Sequence, residues 1–83
     1  NVKETGELHN LLGEVEERSG NLVGAAEEYQ RAAHMDGTED HLFDWGNNLI
    51  QLHAYEPATE VFTAAIVRYP KSARLHVGLG IAQ

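Results

Sequence analysis

Residues 42–70 read LFDWGNNLIQLHAYEPATEVFTAAIVRYP, and this stretch decides the fold. Its apolar residues recur every three or four positions, which is the spacing of one face of an α-helix. They form two sets: Leu42, Trp45, Leu49 and Leu52, followed by Ala58, Val61, Phe62, Ala65, Ile66 and Tyr69. Pro57 suits the first turn of the second helix, and Pro70 cannot continue it. The stretch therefore predicts two consecutive amphipathic helices.

The residues before this stretch carry the same pattern. The first apolar set of the chain comprises Leu8, Leu11, Leu12 and Val15, and the second comprises Leu22, Ala25, Ala26, Tyr29, Ala32 and Ala33. Both sets have helical spacing, so each predicts a helix that packs through that face. The first helix should stop at Ser19-Gly20, where glycine permits a left-handed cap, and the second near Met35. Thr38 is the predicted N-cap of the helix that follows.

The last segment, from the predicted cap Ser72 to Gln83, is ambiguous when it is taken alone. Its apolar residues are Leu75, Val77, Leu79 and Ile81, and they alternate with His76, Gly78 and Gly80. A period of two favours a strand, and each glycine weakens a helix by about 1 kcal/mol relative to alanine. The repeat described next favours a helix, because Gly80 continues a series of glycines that lie in the predicted helices.

The chain contains an internal repeat. Gly13 recurs as Gly46, 33 residues later, and as Gly80, 34 residues after that, each time behind a large apolar residue. Other marks keep the offset of 33, namely Ala25 and Ala58, Tyr29 and Phe62, Ala32 and Ala65, and Gly37 and Pro70. We expect Gly13 to face Ala25 and Gly46 to face Ala58, because small side chains let two helices approach closely. The one-residue difference in spacing should lie between Asp36 and Glu39.

This repeat resembles the tetratricopeptide repeat family, whose signature is W-x2-L-G-x2-Y, then A-x3-F, then P, over about 34 residues. The second copy matches at Leu42, Trp45, Gly46, Leu49, Ala58, Phe62, Ala65 and Pro70. The first copy departs from the signature at His9 and Glu16. The resemblance implies an all-α fold, in which antiparallel helical hairpins stack into a right-handed superhelical array. We expect one domain over 1–83, with repeats at about 6–38 and 39–72 and a partial third repeat at 73–83.

The resemblance also implies a concave groove, lined by the first helix of each repeat. The corresponding residues are Glu7, Asn10, Glu14, Glu17, Asp40, Phe43, Asp44, Asn47, Ile50, Gln51, Arg74, Val77 and Ile81. Phe43, Ile50, Val77 and Ile81 lie off the main apolar sets, so they are candidate anchors for a partner. Phe43 and Ile50 also have an alternative role, which is to pack against the next repeat.

A subset of the family holds a C-terminal carboxylate through basic and amide side chains. The matching positions are Asn10, Glu14, Asp44, Arg74 and Gly78. Only Arg74 has the required charge, whereas Glu14 and Asp44 would repel a carboxylate. Binding of an acidic chain terminus is therefore not expected here.

The charge of the chain favours some partners over others. The net charge is −7, with −8 on residues 1–44 and +1 on residues 45–83. An acidic half repels phosphate backbones, so no nucleic-acid partner is predicted. No run of 18 apolar residues occurs, so no membrane span is predicted. The chain lacks cysteine, which is compatible with both the periplasm and the slightly favoured cytoplasm.

No arrangement typical of a catalytic or metal site occurs in the sequence. His41 and His53 lie twelve residues apart, which places them about 18 Å apart along one helix, too far to share an ion. His9 and His76 occupy one repeat position and are expected to fill helix interfaces. No His-Glu-x-x-His motif or nucleophile motif is present. We therefore predict no enzyme activity, no metal and no cofactor.

The sequence predicts a protein–protein interaction scaffold. Apolar groups beside an acidic rim favour a basic partner peptide with apolar anchors. The alternative is a self-association module, because Leu75, Leu79 and Ala82 are expected to face water on one side of the last helix. In that reading residues 73–83 would form the contact of a homo-oligomer, since exposed stacking faces associate.

Overall fold

The computed structural model describes residues 3–83, and within this range the chain forms five α-helices and no strand. They are α1 (Gly6–Arg18), α2 (Leu22–Met35), α3 (Glu39–Gln51), α4 (Tyr55–Arg68) and α5 (Ala73–Ala82). The prediction of an all-α fold is confirmed, including the helix at the end of the chain. The alternating pattern of α5 was therefore a misleading local signal.

The caps of the helices follow the 33- and 34-residue spacing. Thr5, Thr38 and Ser72 cap α1, α3 and α5, and each hydroxyl accepts a hydrogen bond from the backbone N–H three residues later. Such a cap stabilises a helix by about 1 kcal/mol. Three helix starts are thereby fixed by equivalent hydroxyl residues.

The turns repeat as well. Gly20 and His53, which are 33 residues apart, both adopt the left-handed backbone conformation, with φ of 86° and 60°. Three residues separate α2 from α3, whereas four separate α4 from α5. The shorter connection lies between Asp36 and Glu39, as the repeat spacing predicted.

Each helix packs against the next one along the chain, and α1, α3 and α5 also contact each other in that order. The molecule is elongated, with principal extents of 39, 25 and 16 Å. Both aromatic residues of the repeat are buried. Tyr29 is buried on α2, as are Ala25 and Ala32, and Phe62 lies in a core cluster with Ala58, Ala65, Leu75 and Ala82.

Gly13 and Gly46 recur at the repeat offset for a different reason from the predicted contact with Ala25 and Ala58. A Cβ atom at Gly13 would lie 2.7 Å from the ring of Tyr29, and one at Gly46 would lie 2.6 Å from the ring of Phe62. The nearest side chains are therefore the aromatic rings and not Ala25 or Ala58. A helical side chain points back toward the N-terminus, so each ring covers the turn that carries the alanine.

The face through which α1 packs also differs from the prediction. Leu11, Leu12 and Val15 are exposed, and Leu11 keeps 56% of its surface. The residues that α1 buries are Gly6, His9 and Gly13. The apolar set predicted the wrong buried face of α1, because the close approach of α1 to α2 requires the small residue Gly13 at the contact.

The exposed face of α5 is likewise not the predicted one. Leu75 and Ala82 are buried and Leu79 is half-buried, whereas Val77 and Ile81 are exposed. Leu75 and Ala82 belong to the cluster around Phe62. The prediction that Leu75 and Ala82 face water is therefore wrong, because α4 covers that side of α5.

The glycine contacts predict opposite effects for two chemically identical substitutions. Gly46→Ala should destabilise the fold, because the added methyl group would meet the fully buried Phe62 ring. Gly80→Ala should stabilise it by up to about 1 kcal/mol, since no atom lies within 4 Å of the new Cβ and alanine favours a helix. Urea unfolding of both variants measures this. Equal shifts of the two midpoints would contradict the assigned contact.

Candidate functional site

Arg74 joins α5 to the surface of α3. Its Nε donates a hydrogen bond of 3.1 Å to Glu39, its Nη2 donates to Asp40, and its guanidinium carbon lies 4.6 Å from the centre of the Phe43 ring. The hydrogen bond to Asp40 raises the pKa of Arg74, and hydrogen bonds from Ser72 and Arg74 lower the pKa of Glu39. Three of the predicted groove residues, Asp40, Phe43 and Arg74, are thus in direct contact.

A second contact joins α1 to α3. Asn10 Nδ2 donates a hydrogen bond of 3.1 Å to Asp44 Oδ2. Burial raises the pKa of Asp44, and the nearby Glu14 and Asp40 raise it further, against the hydrogen bond from Asn10. The structure therefore holds Asp44 in an environment that disfavours its negative charge.

Between α1 and α3 lies an open cleft of about 330 Å³, which we call the acidic cleft. Its lining comprises Glu7, Asn10, Leu11, Glu14, Asp36, Thr38, Asp40 and His41. It contains four carboxylates and no lysine or arginine. Of these four, only Asp40 forms an ion pair among residues 3–83. Its partner, Arg74, is not one of the residues that line the cleft. The cleft should therefore attract cationic groups.

The predicted apolar anchors fall into two classes. Phe43 and Ile50 are half-buried and pack against the core cluster around Phe62. Val77 and Ile81 are exposed on α5. The packing role that the sequence left open for Phe43 and Ile50 is therefore present in this structure, and among the four predicted anchors only Val77 and Ile81 are mostly exposed.

The remaining predicted residues differ in their surroundings. Glu17 accepts a hydrogen bond of 3.1 Å from the hydroxyl of Tyr29. Burial, followed by the charge of Glu17, raises the pKa of Tyr29. Asn47 and Gln51 are exposed on α3.

Two histidines, His9 and His41, are held inside the helix interfaces, whereas the prediction that His76 fills such an interface is wrong because His76 is exposed. His9 is buried, with Nδ1 2.9 Å from Glu28 and Nε2 3.0 Å from Glu4, and the buried His41 lies 2.7 Å from the Asp36 carbonyl oxygen. Burial raises the pKa of Glu28, but hydrogen bonds from His9 and Arg31 outweigh it and leave the pKa lowered. Within residues 3–83, no three His, Cys, Asp or Glu side chains are grouped closely enough to hold a metal ion.

The same range of residues has no helix long and apolar enough to span a membrane.

A larger cleft lies on another side of the molecule, between α2 and α4, and sequence reasoning missed it. This α2–α4 groove has a volume of about 450 Å³ and is lined by Val23, Ala26, Glu27, Gln30, Trp45, Leu49, Pro57, Glu60, Val61 and Ala64. It exists because α2 and α4 each pack on α3 but not on each other. Periodicity assigned four of these residues, Ala26, Trp45, Leu49 and Val61, to packing faces. Val23 and Ala64, which are apolar and lie outside the predicted sets, were the signals for it.

No model of a known protein family matches this chain, and no curated protein matches it.

The position of Asp44 predicts a pH-dependent effect. Because its pKa is raised in the folded chain, the folded state binds more protons than the unfolded state between the two pKa values. This contribution makes stability fall as the pH rises through that range. Asp44→Asn should therefore stabilise the protein at pH 7, and the gain should shrink as the pH falls toward about 3, where aspartate protonates. Urea unfolding across this range measures it.

Asp40→Asn is the control, because Asp40 pairs with Arg74 and its loss should give no gain at pH 7. An Asp44→Asn variant that is less stable than the unchanged chain at pH 7 would contradict a net cost of burying this charge.

Proposed function

We propose that this chain is a protein-interaction module that binds basic segments of a partner along the surface formed by α1, α3 and α5. The observation that carries the proposal is the acidic cleft, whose lining has four carboxylates and no lysine or arginine. A lysine or arginine side chain of a partner would supply the missing positive charge. Complementary charge of this kind speeds association and selects among partners.

The resemblance to tetratricopeptide repeats supports this proposal. In that arrangement, α1, α3 and α5 would line the concave side of a right-handed superhelical array. The lateral contacts among these three helices are consistent with it. The equivalent caps, turns and aromatic residues at offsets of 33 or 34 also support a repeat.

The contacts of Arg74 indicate which class of ligand would be rejected. Its guanidinium group already pairs with Glu39 and Asp40 and lies over the Phe43 ring. A carboxylate ligand would have to compete with these groups, and it would face the other carboxylates of the cleft. We therefore infer a preference for cations over carboxylate termini on this surface.

Self-association through α5 is the second candidate. The observation in its favour is the pair of exposed residues Val77 and Ile81, which lie one helical turn apart on the same face. In this reading, a second copy of the chain would cover that face. Sedimentation at rising concentration separates it from the first candidate, since binding to a different partner requires no mass change of the isolated chain.

The proposed function predicts a preference for basic peptides that depends on salt. An array of peptides with one apolar residue between lysines, and the same peptides with glutamates, is to be probed at low and high salt. The lysine peptides should bind more tightly, and the difference should shrink at high salt because ions screen exposed charges.

The double variant Glu7→Gln/Glu14→Gln should weaken this binding severalfold, because exposed ion pairs contribute up to about 1 kcal/mol each. Glu16→Gln/Glu56→Gln is the matched control, with an identical change of net charge at two acids that line neither the acidic cleft nor the groove between α2 and α4. Equal binding of lysine and glutamate peptides would exclude the proposal.

A further inference from the structure

The α2–α4 groove is the largest cleft described in this protein, and the proposed function does not use it. Its two walls come from α2 and α4, and Trp45 and Leu49 of α3 line it between them. Both α2 and α4 pack on α3, but they do not contact each other. The groove is the gap that this arrangement leaves between α2 and α4.

The surface of the groove is mainly apolar. Seven of its ten lining residues are Val, Ala, Trp, Leu or Pro, and Val23 keeps 64% of its surface exposed to water. The rings of Trp45 and His34 are perpendicular to each other, with their centres 5.7 Å apart. A volume of about 450 Å³ leaves room for a few inserted side chains, and the open form suits a segment of a partner.

The polar groups of the groove define the charge of the occupant. Glu27 projects from α2 and Glu60 from α4, at equivalent repeat positions 33 residues apart. Neither carboxylate forms an ion pair within residues 3–83, and no lysine or arginine lines the groove. One unpaired negative charge on each wall is complementary to a segment with positive charges on its two sides.

The backbone of the walls selects the conformation of the occupant. Both walls are helices, whose interior N–H and C=O groups are already paired within the helix. They offer no edge to which an extended peptide could pair, so such a peptide would lose backbone hydrogen bonds to water. A helix satisfies its own backbone and presents apolar side chains at i, i+3 and i+4 to a groove.

We propose that the α2–α4 groove binds an amphipathic helix of a partner protein, with its apolar side chains against Trp45, Leu49 and Val23 and its lysine or arginine side chains beside Glu27 and Glu60. This site is separate from the acidic cleft, so the chain has two surfaces for basic segments. The two surfaces differ in what they recognise: the groove requires a helical apolar face, whereas the acidic cleft requires only charge.

Trp45 provides a direct reporter, because it is the only tryptophan of the chain and lies in the groove. The probe is a synthetic helical peptide without aromatic residues, with leucines at i, i+3 and i+4 and lysines at both flanks. A matched peptide carries glutamates in place of the lysines. The lysine peptide should shift Trp45 emission to shorter wavelength with saturation, and the glutamate peptide should not.

Two pairs of variants locate the binding. Val23→Ser should lower the affinity for the lysine peptide by about tenfold, because the substitution removes one buried aliphatic contact. Val67→Ser is its control, since Val67 is 79% exposed on α4 and lies outside the groove. Glu27→Gln/Glu60→Gln should weaken binding by about fivefold, as expected for two exposed ion pairs. Glu16→Gln/Glu56→Gln, at two acids that line neither cleft, should leave the Trp45 titration unchanged.

Three results would overturn the proposal. Equal binding of the lysine and glutamate peptides would remove the role of Glu27 and Glu60. Equal effects of Val23→Ser and Val67→Ser would place the peptide elsewhere. A shift of Trp45 emission that grows with the concentration of the chain alone would identify a second copy as the occupant. A failure of this proposal can be told apart from a failure of the proposed function, because binding in the acidic cleft depends on Glu7 and Glu14 and gives no Trp45 signal.

Discussion

The ring of Phe62 between two glycines is the contact on which the C-terminal half of this structure depends. The ring is completely buried, and a Cβ atom at Gly46 or at Gly78 would lie within 2.6 Å of it. Phe62 thereby holds α4 against both α3 and α5. The contact continues to the surface, because the rings of Phe43 and Phe62 meet edge to face at 6.5 Å and the guanidinium carbon of Arg74 lies 4.6 Å from the centre of the Phe43 ring. Core packing and surface charge pairing are therefore linked.

The same packing produces two surfaces of different character. Close contact between successive helices sets α1, α3 and α5 side by side, and it leaves α2 and α4 apart from each other on α3. The first arrangement forms the acidic cleft, whereas the second opens the apolar α2–α4 groove. Neither surface is lined by lysine or arginine, and most acids of the chain lie in residues 1–44. We infer that the molecule favours basic partners on either side.

Sequence patterns were sufficient for the helices, the N-caps Thr38 and Ser72 and the shorter connection, because these features depend on local residues. They did not identify which faces are buried. Leu11 and Val15 are apolar at helical spacing yet exposed, since periodicity defines a face without saying whether a neighbour covers it. The α2–α4 groove was missed for a related reason: it depends on a gap between helices that are distant in sequence. The predicted residues of the α1, α3 and α5 surface include real contacts, such as Asn10 with Asp44, although their binding role stays a prediction.

Native-state hydrogen exchange on Phe62→Leu tests the central claim most directly. If the Phe62 ring holds α5 against α4 and α3, the smaller side chain should lower the protection of α5 amides and spare α1 and α2. Local loss of this kind is expected where helices depend on nearest-neighbour contacts. A uniform loss of protection over all five helices, or an α5 that stays as protected as in the parent chain, would contradict the account.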